Sequence, residues 1–147
     1  MSLARCRERF GFRLVAWVVM PDHVHLILVP DPRREPMAAI LRSLKQPVAQ
    51  GLIKAWRGSS SPMLKDLATP RGEVRVWQEG GGFDRNSRSP EELADEIEYI
   101  HQNPVKAGLV GAPTDWAWSS ARWYAGQREG AIPIDPTGVH WAVKSYT

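Results

Sequence analysis

Apolar residues along this chain follow two rhythms. Leu14-Val15-Ala16-Trp17-Val18-Val19-Met20 is continuous and rich in β-branched and aromatic residues, and His23-Val24-His25-Leu26-Ile27-Leu28-Val29 follows it across Pro21-Asp22. Runs of this type predict strands, and the two-residue break predicts an antiparallel hairpin over Phe12 to Val29. Both runs are apolar on both faces, so the sheet is expected to be covered by helices. Beyond Pro36 the rhythm changes: Met37, Ile40, Leu41, Leu44, Val48, Leu52 and Trp56 recur at helical spacing. Pro36 suits the first position of that helix, and Pro47 is expected to kink or split it. Ser89-Pro90-Glu91-Glu92 predicts a second helix, with Ser89 as cap and Glu92 completing a capping box. It should run to about Asn103, because Pro104 disfavours a helical residue before it. Residues 5–12 read as the end of a helix, Gly58 to Pro70 as a loop, Glu73 to Gln78 as a short strand, and residues 115–124 as a short, partly helical segment. Gly126 to Thr147, with several Gly and Pro, reads as a tail.

Length adds that 147 residues and 16.5 kDa suit one domain with a real core. No apolar run approaches the roughly 18 residues of a membrane span. The start of the chain carries Arg5, Arg7, Glu8 and Arg9 and no apolar leader, so neither membrane nor export is expected. The single cysteine, Cys6, excludes a disulfide framework and a multi-thiolate zinc site, and a cytoplasmic location is expected. The net charge of +3 is unevenly spread: residues 1–57 hold +6 and residues 58–147 hold −3. A basic half is compatible with a polyanionic partner or with a solvated surface. Among the seven tryptophans, Trp77, Trp116 and Trp118 are read as core rather than as base-stacking platforms.

Two residue groups could carry chemistry. His23 and His25 flank one valine on the predicted second strand, so both imidazoles face the same way and could share a metal ion. The alternative is a pair of histidines with ordinary structural partners. On the second helix Leu93, Ile97 and Ile100 form one face, and Tyr99 lies nearly opposite with Asn103 one turn on. That pair is either a phenol beside an amide acceptor in a site, or an exposed tyrosine and a helix-end asparagine.

Four segments then occur in a fixed order: Met20-Pro21-Asp22-His23-Val24-His25-Leu26; Trp77-Gln78 with Phe83-Asp84-Arg85; Tyr99-Ile100-His101-Gln102-Asn103-Pro104-Val105-Lys106-Ala107-Gly108-Leu109-Val110; and Asp115-Trp116-Ala117-Trp118-Ser119-Ser120. Together they resemble the REP-associated tyrosine transposases, within the HUH class of single-tyrosine transposases (His, hydrophobic residue, His). The resemblance implies an α+β fold, an antiparallel sheet with helices packed on it in the ferredoxin-like, RRM-like manner. It implies one transposase domain over residues 1–147, with a core at about 10–124 and a loose tail at 125–147. It implies that His23, His25 and Asn103 bind Mg²⁺ or Mn²⁺. It makes Tyr99 the nucleophile that cuts single-stranded DNA near a hairpin and keeps the 5′ phosphate. Only nine residues precede the segment matching at Phe10, so the family's first strand is expected to be missing and activity to be at risk.

Tyr124 and Tyr146 are rival nucleophiles without a polar i+4 partner near a helix end. Arg33, Arg34, Arg42 and Lys45, after the His strand, and Arg85 and Lys106, within the family-like motifs, are candidate contacts to DNA phosphates. The partner expected is single-stranded or hairpin DNA, with the chain a monomer or homodimer. The readings that compete with a transposase are a catalytically inactive relative that only binds DNA hairpins, and an unrelated metal hydrolase built on His-x-His.

Overall fold

The structure is a computed structural model, and it describes residues 2–34, 36–80, 86–128 and 130–135. The described residues form an α+β fold that separates into two compact units, Met1–Gly11 with Asp31–Asp84, and Phe12–Pro30 with Arg85–Thr147. No helix among them is long and apolar enough to cross a membrane.

In the first unit, helix α1 (Ser2–Phe10) buries Leu3, Cys6 and Phe10, which recur at helical spacing, and packs on helix α2 (Met37–Gly58). The Cys6 thiol donates to Ser43 Oγ at 3.2 Å across that contact. Pro36 is the cap of α2 rather than its first residue. Pro47 lies inside α2 without ending it. A proline there deletes one internal hydrogen bond, which a helix of 22 residues absorbs, so the predicted split does not occur. The stretch expected to be all loop contains a four-residue helix, α3 (Met63–Asp66). The strand expected at 73–78 is reduced to a single bridge between Ala68 and Val74. Trp77 is nonetheless anchored, donating from Nε1 to the Lys45 carbonyl at 2.8 Å.

In the second unit, strands β1 (Arg13–Val19) and β2 (Val24–Val29) pair antiparallel, with Val19 opposite Val24 and Val18 opposite His25. The connection is longer than the predicted two residues. Met20 to His23 form it, closed by the Met20 N–H on the His23 carbonyl at 2.8 Å. His23 therefore sits in the turn immediately before β2 and not on the strand. Strand β1 is buried along nearly its whole length, whereas β2 is only half-buried, so the expectation of cover on both faces holds for β1 alone.

Helix α4 (Pro90–Lys106) lies on β1, with Ile97 and Ile100 against Val15, Ala16, Val18 and Met20. Ser89 Oγ accepts from the Glu92 N–H at 3.2 Å, and Glu92 Oε2 accepts from the Arg88 N–H at 2.8 Å. The cap is thus the predicted one, with the glutamate reaching one residue further back. The helix passes through Pro104 and ends at Lys106, beyond the predicted stop. The Pro104 ring is fully buried, and that packing offsets the missing N–H. A 3₁₀ turn (Pro113–Asp115) and a short helix, α5 (Ala121–Tyr124), follow.

The free side of β1 is covered from later in the chain. Val19 N–H bonds the Trp118 carbonyl at 2.9 Å, and Trp17 and Ser120 exchange backbone and hydroxyl bonds. Further on, Leu14 and Asp135 bond reciprocally at 2.8 Å, and Trp17 Nε1 donates to the Ile132 carbonyl. On its outer edge β2 has no backbone partner among the described residues.

Candidate active site

The site is built where the hairpin turn meets α4, inside the second unit. His25 is carried by β2, opposite Val18, whose side chain is in the core that α4 covers. This register turns His25 toward the helix, because strand side chains alternate. The His23 and His25 rings stand edge to face with centroids 4.8 Å apart. The Tyr99 ring meets His25 edge-on at 6.3 Å between centroids.

The two histidines differ in surroundings. His23 is exposed, and its Nδ1 is 2.6 Å from Asp22 Oδ1. That hydrogen bond holds the Asp22 carboxyl below its ordinary value of 3.8 and leaves the far ring nitrogen, Nε2, free to bind. His25 is half-buried, and burial, then the nearby His23, lower its pKa from 6.5. An imidazole biased toward its neutral form is an available metal ligand.

Tyr99 is 55% exposed, so the phenol is accessible from solvent, and it lies off the Ile97/Ile100 face as its spacing predicts. Asn103, one turn on, is half-buried, and its amide Nδ2 is buried with no hydrogen-bond partner. An orphaned buried amide is costly, roughly 1–3 kcal/mol, and points to a group that the protein residues alone do not satisfy. The two ends of an amide have the same shape, and turning it over sets an oxygen acceptor at that position. Among the described residues no three His, Cys, Asp or Glu side chains gather into a metal cluster. A cation held by His23 and His25 would therefore need a donor of another type, and the Asn103 amide is the one that the sequence offers; two imidazoles and an amide oxygen are a mixed set that suits Mn²⁺ and tolerates Mg²⁺.

Lys106 ends the same face of α4, and its Nζ stands 4.4 Å over the Tyr99 ring. Tyr99, Asn103 and Lys106 are spaced i, i+4 and i+7, one continuous stripe. That stripe was visible in the sequence, as was Asp22 beside His23, but neither partner is singled out by periodicity alone.

The other rival and candidate residues fall elsewhere. The Tyr124 hydroxyl donates to the Val15 carbonyl at 2.9 Å, and its ring packs on His101 at 5.3 Å. Tyr146 and Arg85 lie outside the described residues. In the first unit, Arg33 and Arg34 line a shared hollow with Arg9 and Pro36. Arg34 Nη1 donates to the Arg9 carbonyl at 3.0 Å, and its Nε lies 3.6 Å from Asp31 Oδ2. Arg42 is exposed on α2, and Lys45 stands over the Trp77 ring. Trp118 corrects the reading as core: it is 57% exposed, because its backbone rather than its ring binds β1. Trp77 and Trp116 are half-buried and hydrogen-bonded through their indoles, as core residues are.

Sequence spacing did not find His101. It is fully buried on α4, its Nε2 is 2.8 Å from Ser120 Oγ, and burial pushes its pKa down to about 3. It is a neutral core histidine that ties α4 to the Ser120 segment.

The fold and site together define an α+β protein in which two imidazoles stand beside an accessible tyrosine on a helix. Comparison with known proteins bears out the resemblance read from the motifs: the chain is similar to proteins named as REP-associated tyrosine transposases. It is 29% identical over 113 residues to a protein carrying that name in Haemophilus influenzae, covering 77% of this chain and 61% of the relative. It is 26% identical over 139 residues to the REP-associated tyrosine transposase of Escherichia coli, covering 93% of this chain and 70% of the relative. The chain thus spans about three-fifths to seven-tenths of the length of these relatives. Its fold matches the structure of a REP-associated tyrosine transposase bound to a REP hairpin, with a TM-score of 0.58 and 24% identity over 93% of this chain and 70% of the other. No protein-family model matches the chain.

Proposed function

We propose that this protein is a cytoplasmic transposase of the HUH class that nicks and rejoins single-stranded DNA at or near a hairpin, through a 5′-phosphotyrosine on Tyr99. The observation that carries this reading is the constellation of His23, His25 and an exposed Tyr99 within ring-contact range.

The phenol oxygen of Tyr99 attacks the phosphorus, the P–O3′ bond breaks, and the 3′ oxygen leaves and takes up a proton. The phenol proton passes to solvent or a nearby base. The 5′ phosphate stays on the tyrosine, so the energy of the broken ester is kept and no nucleotide cofactor is required. Attack by a 3′-OH on the same phosphorus reverses the step.

His23, His25 and Asn103 would hold Mg²⁺ or Mn²⁺. Such an ion, when bound, withdraws charge from a non-bridging phosphate oxygen. Asp22 orients His23 through Nδ1, burial lowers the pKa of His25 and so favours its neutral, metal-binding form, and α4 holds Tyr99 and Asn103 on one face. The relatives' names and the hairpin bound to the structural neighbour support hairpin DNA as the partner. Arg33, Arg34, Arg42, Lys45 and Arg85 are the proposed phosphate contacts; Lys106, the remaining candidate, stands over the Tyr99 ring instead.

A second reading is a hairpin-binding protein without cleavage. The half-buried β2, which carries His25 and is paired on one edge only among the described residues, favours it. Incubating a pool of hairpin-bearing single-stranded DNA with the protein and Mn²⁺ separates the readings. The transposase gives a denaturant-stable protein–DNA adduct that a chelator prevents. The binding protein gives a mobility shift alone, and a metal hydrolase gives cut DNA without adduct.

A further inference from the structure

We infer that Lys106 is a positioning residue for the nucleophile: its ammonium stands on the Tyr99 ring and holds the phenol beside His25. The inference rests on the proposed function above and gives Lys106 a role at the nucleophile in place of a phosphate contact. Tyr99 is 55% exposed, so core packing does not fix its ring. Its ring neighbours are His25, edge-on at 6.3 Å, and Lys106, with Nζ 4.4 Å from the centroid. An ammonium over an aromatic face is attracted by the ring quadrupole. The two residues are two helical turns apart on one face of α4, where a long side chain can reach back along the helix. The sequence thus supplies, on the nucleophile's own element, a cation that limits its rotamers. A nucleophile must be held close to its attacking geometry, and a misplacement of about 1 Å can cost on the order of 100-fold in rate.

Two simpler roles compete. Lys106 is the last residue of α4, where a cation favours the helix dipole, and an exposed lysine can contact a DNA phosphate. The measurements separate them. In Lys106→Met the single-turnover rate of adduct formation at saturating hairpin DNA should fall by about tenfold. Hairpin affinity should stay within about twofold, with an unchanged salt slope. Lys106→Arg should restore the rate, because a guanidinium also stacks on a ring. In the wild type the Lys106 ε-methylene NMR signal should be shifted upfield by the ring current, and Tyr99→Leu should abolish that shift.

A fall in affinity with a salt slope reduced by about one, at unchanged saturated rate, would mark a phosphate contact and overturn the inference. So would an unshifted ε-methylene signal, or a Lys106→Met rate equal to wild type while wild-type adduct forms on Tyr99. If the wild type forms no adduct at all, the proposed function fails and the inference falls with it.

Discussion

Tyr99 and Tyr124 share a residue type and have opposite circumstances. Tyr99 has an exposed phenol next to His25, whereas the Tyr124 hydroxyl is committed to the Val15 carbonyl. Tyr99→Phe is expected to abolish cleavage and adduct together while leaving hairpin affinity unchanged, since only the attacking oxygen is lost. Tyr124→Phe is expected to leave cleavage intact and to cost about 1 kcal/mol of stability by removing one hydrogen bond, measurable by urea titration. Reversed phenotypes would reassign the nucleophile. His23→Ala and His25→Ala should each eliminate Mn²⁺-dependent cleavage with binding retained, read on parallel cleavage and gel-shift assays. Cleavage persisting in the double variant would remove both from the metal site.

Helix α4 is the element on which the account depends, because it carries both the core stripe and the stripe of Tyr99, Asn103 and Lys106. Its start was legible: Ser89 caps it as the sequence predicts. Ser89→Ala should therefore cost about 1 kcal/mol in global stability, and a value near zero would show that the Glu92–Arg88 bond holds the end unaided. Its end was not legible. Pro104 signals a stop locally, but burial of its ring, a tertiary effect, carries the helix on to Lys106. Pro47 persists for a different reason: it is exposed on α2, and a helix of 22 residues absorbs the one hydrogen bond it deletes. The hairpin was readable from its β-branched runs. The displacement of His23 from strand to turn was not, since a two-residue break and a four-residue connection leave the same apolar pattern. Trp118 was misread as core because a tryptophan's sequence context does not show whether its ring or its backbone makes the contact.

At the scale of the whole molecule, stability is expected to depend on acid through His101. In the unfolded chain it titrates near 6.5, and in the fold burial pushes it down to about 3. Unfolding therefore takes up a proton between these values, so the contribution is complete above about 6.5 and is lost progressively as pH falls toward 3. The loss is about 1.4 kcal/mol per pH unit in that window, or about 2 kcal/mol between pH 7 and 5. Urea midpoints at the two pH values should show it, and His101→Gln should flatten the dependence; an equal slope in that variant would assign the acid sensitivity elsewhere. The chemistry proposed for the molecule as a whole rests on one covalent link. Wild-type protein incubated with hairpin-bearing single-stranded DNA and Mn²⁺, then digested with protease and analysed by mass spectrometry, should yield a nucleotide phosphate on the peptide containing Tyr99. An adduct on any other residue, or a folded protein that binds the hairpin and forms none, would contradict the account.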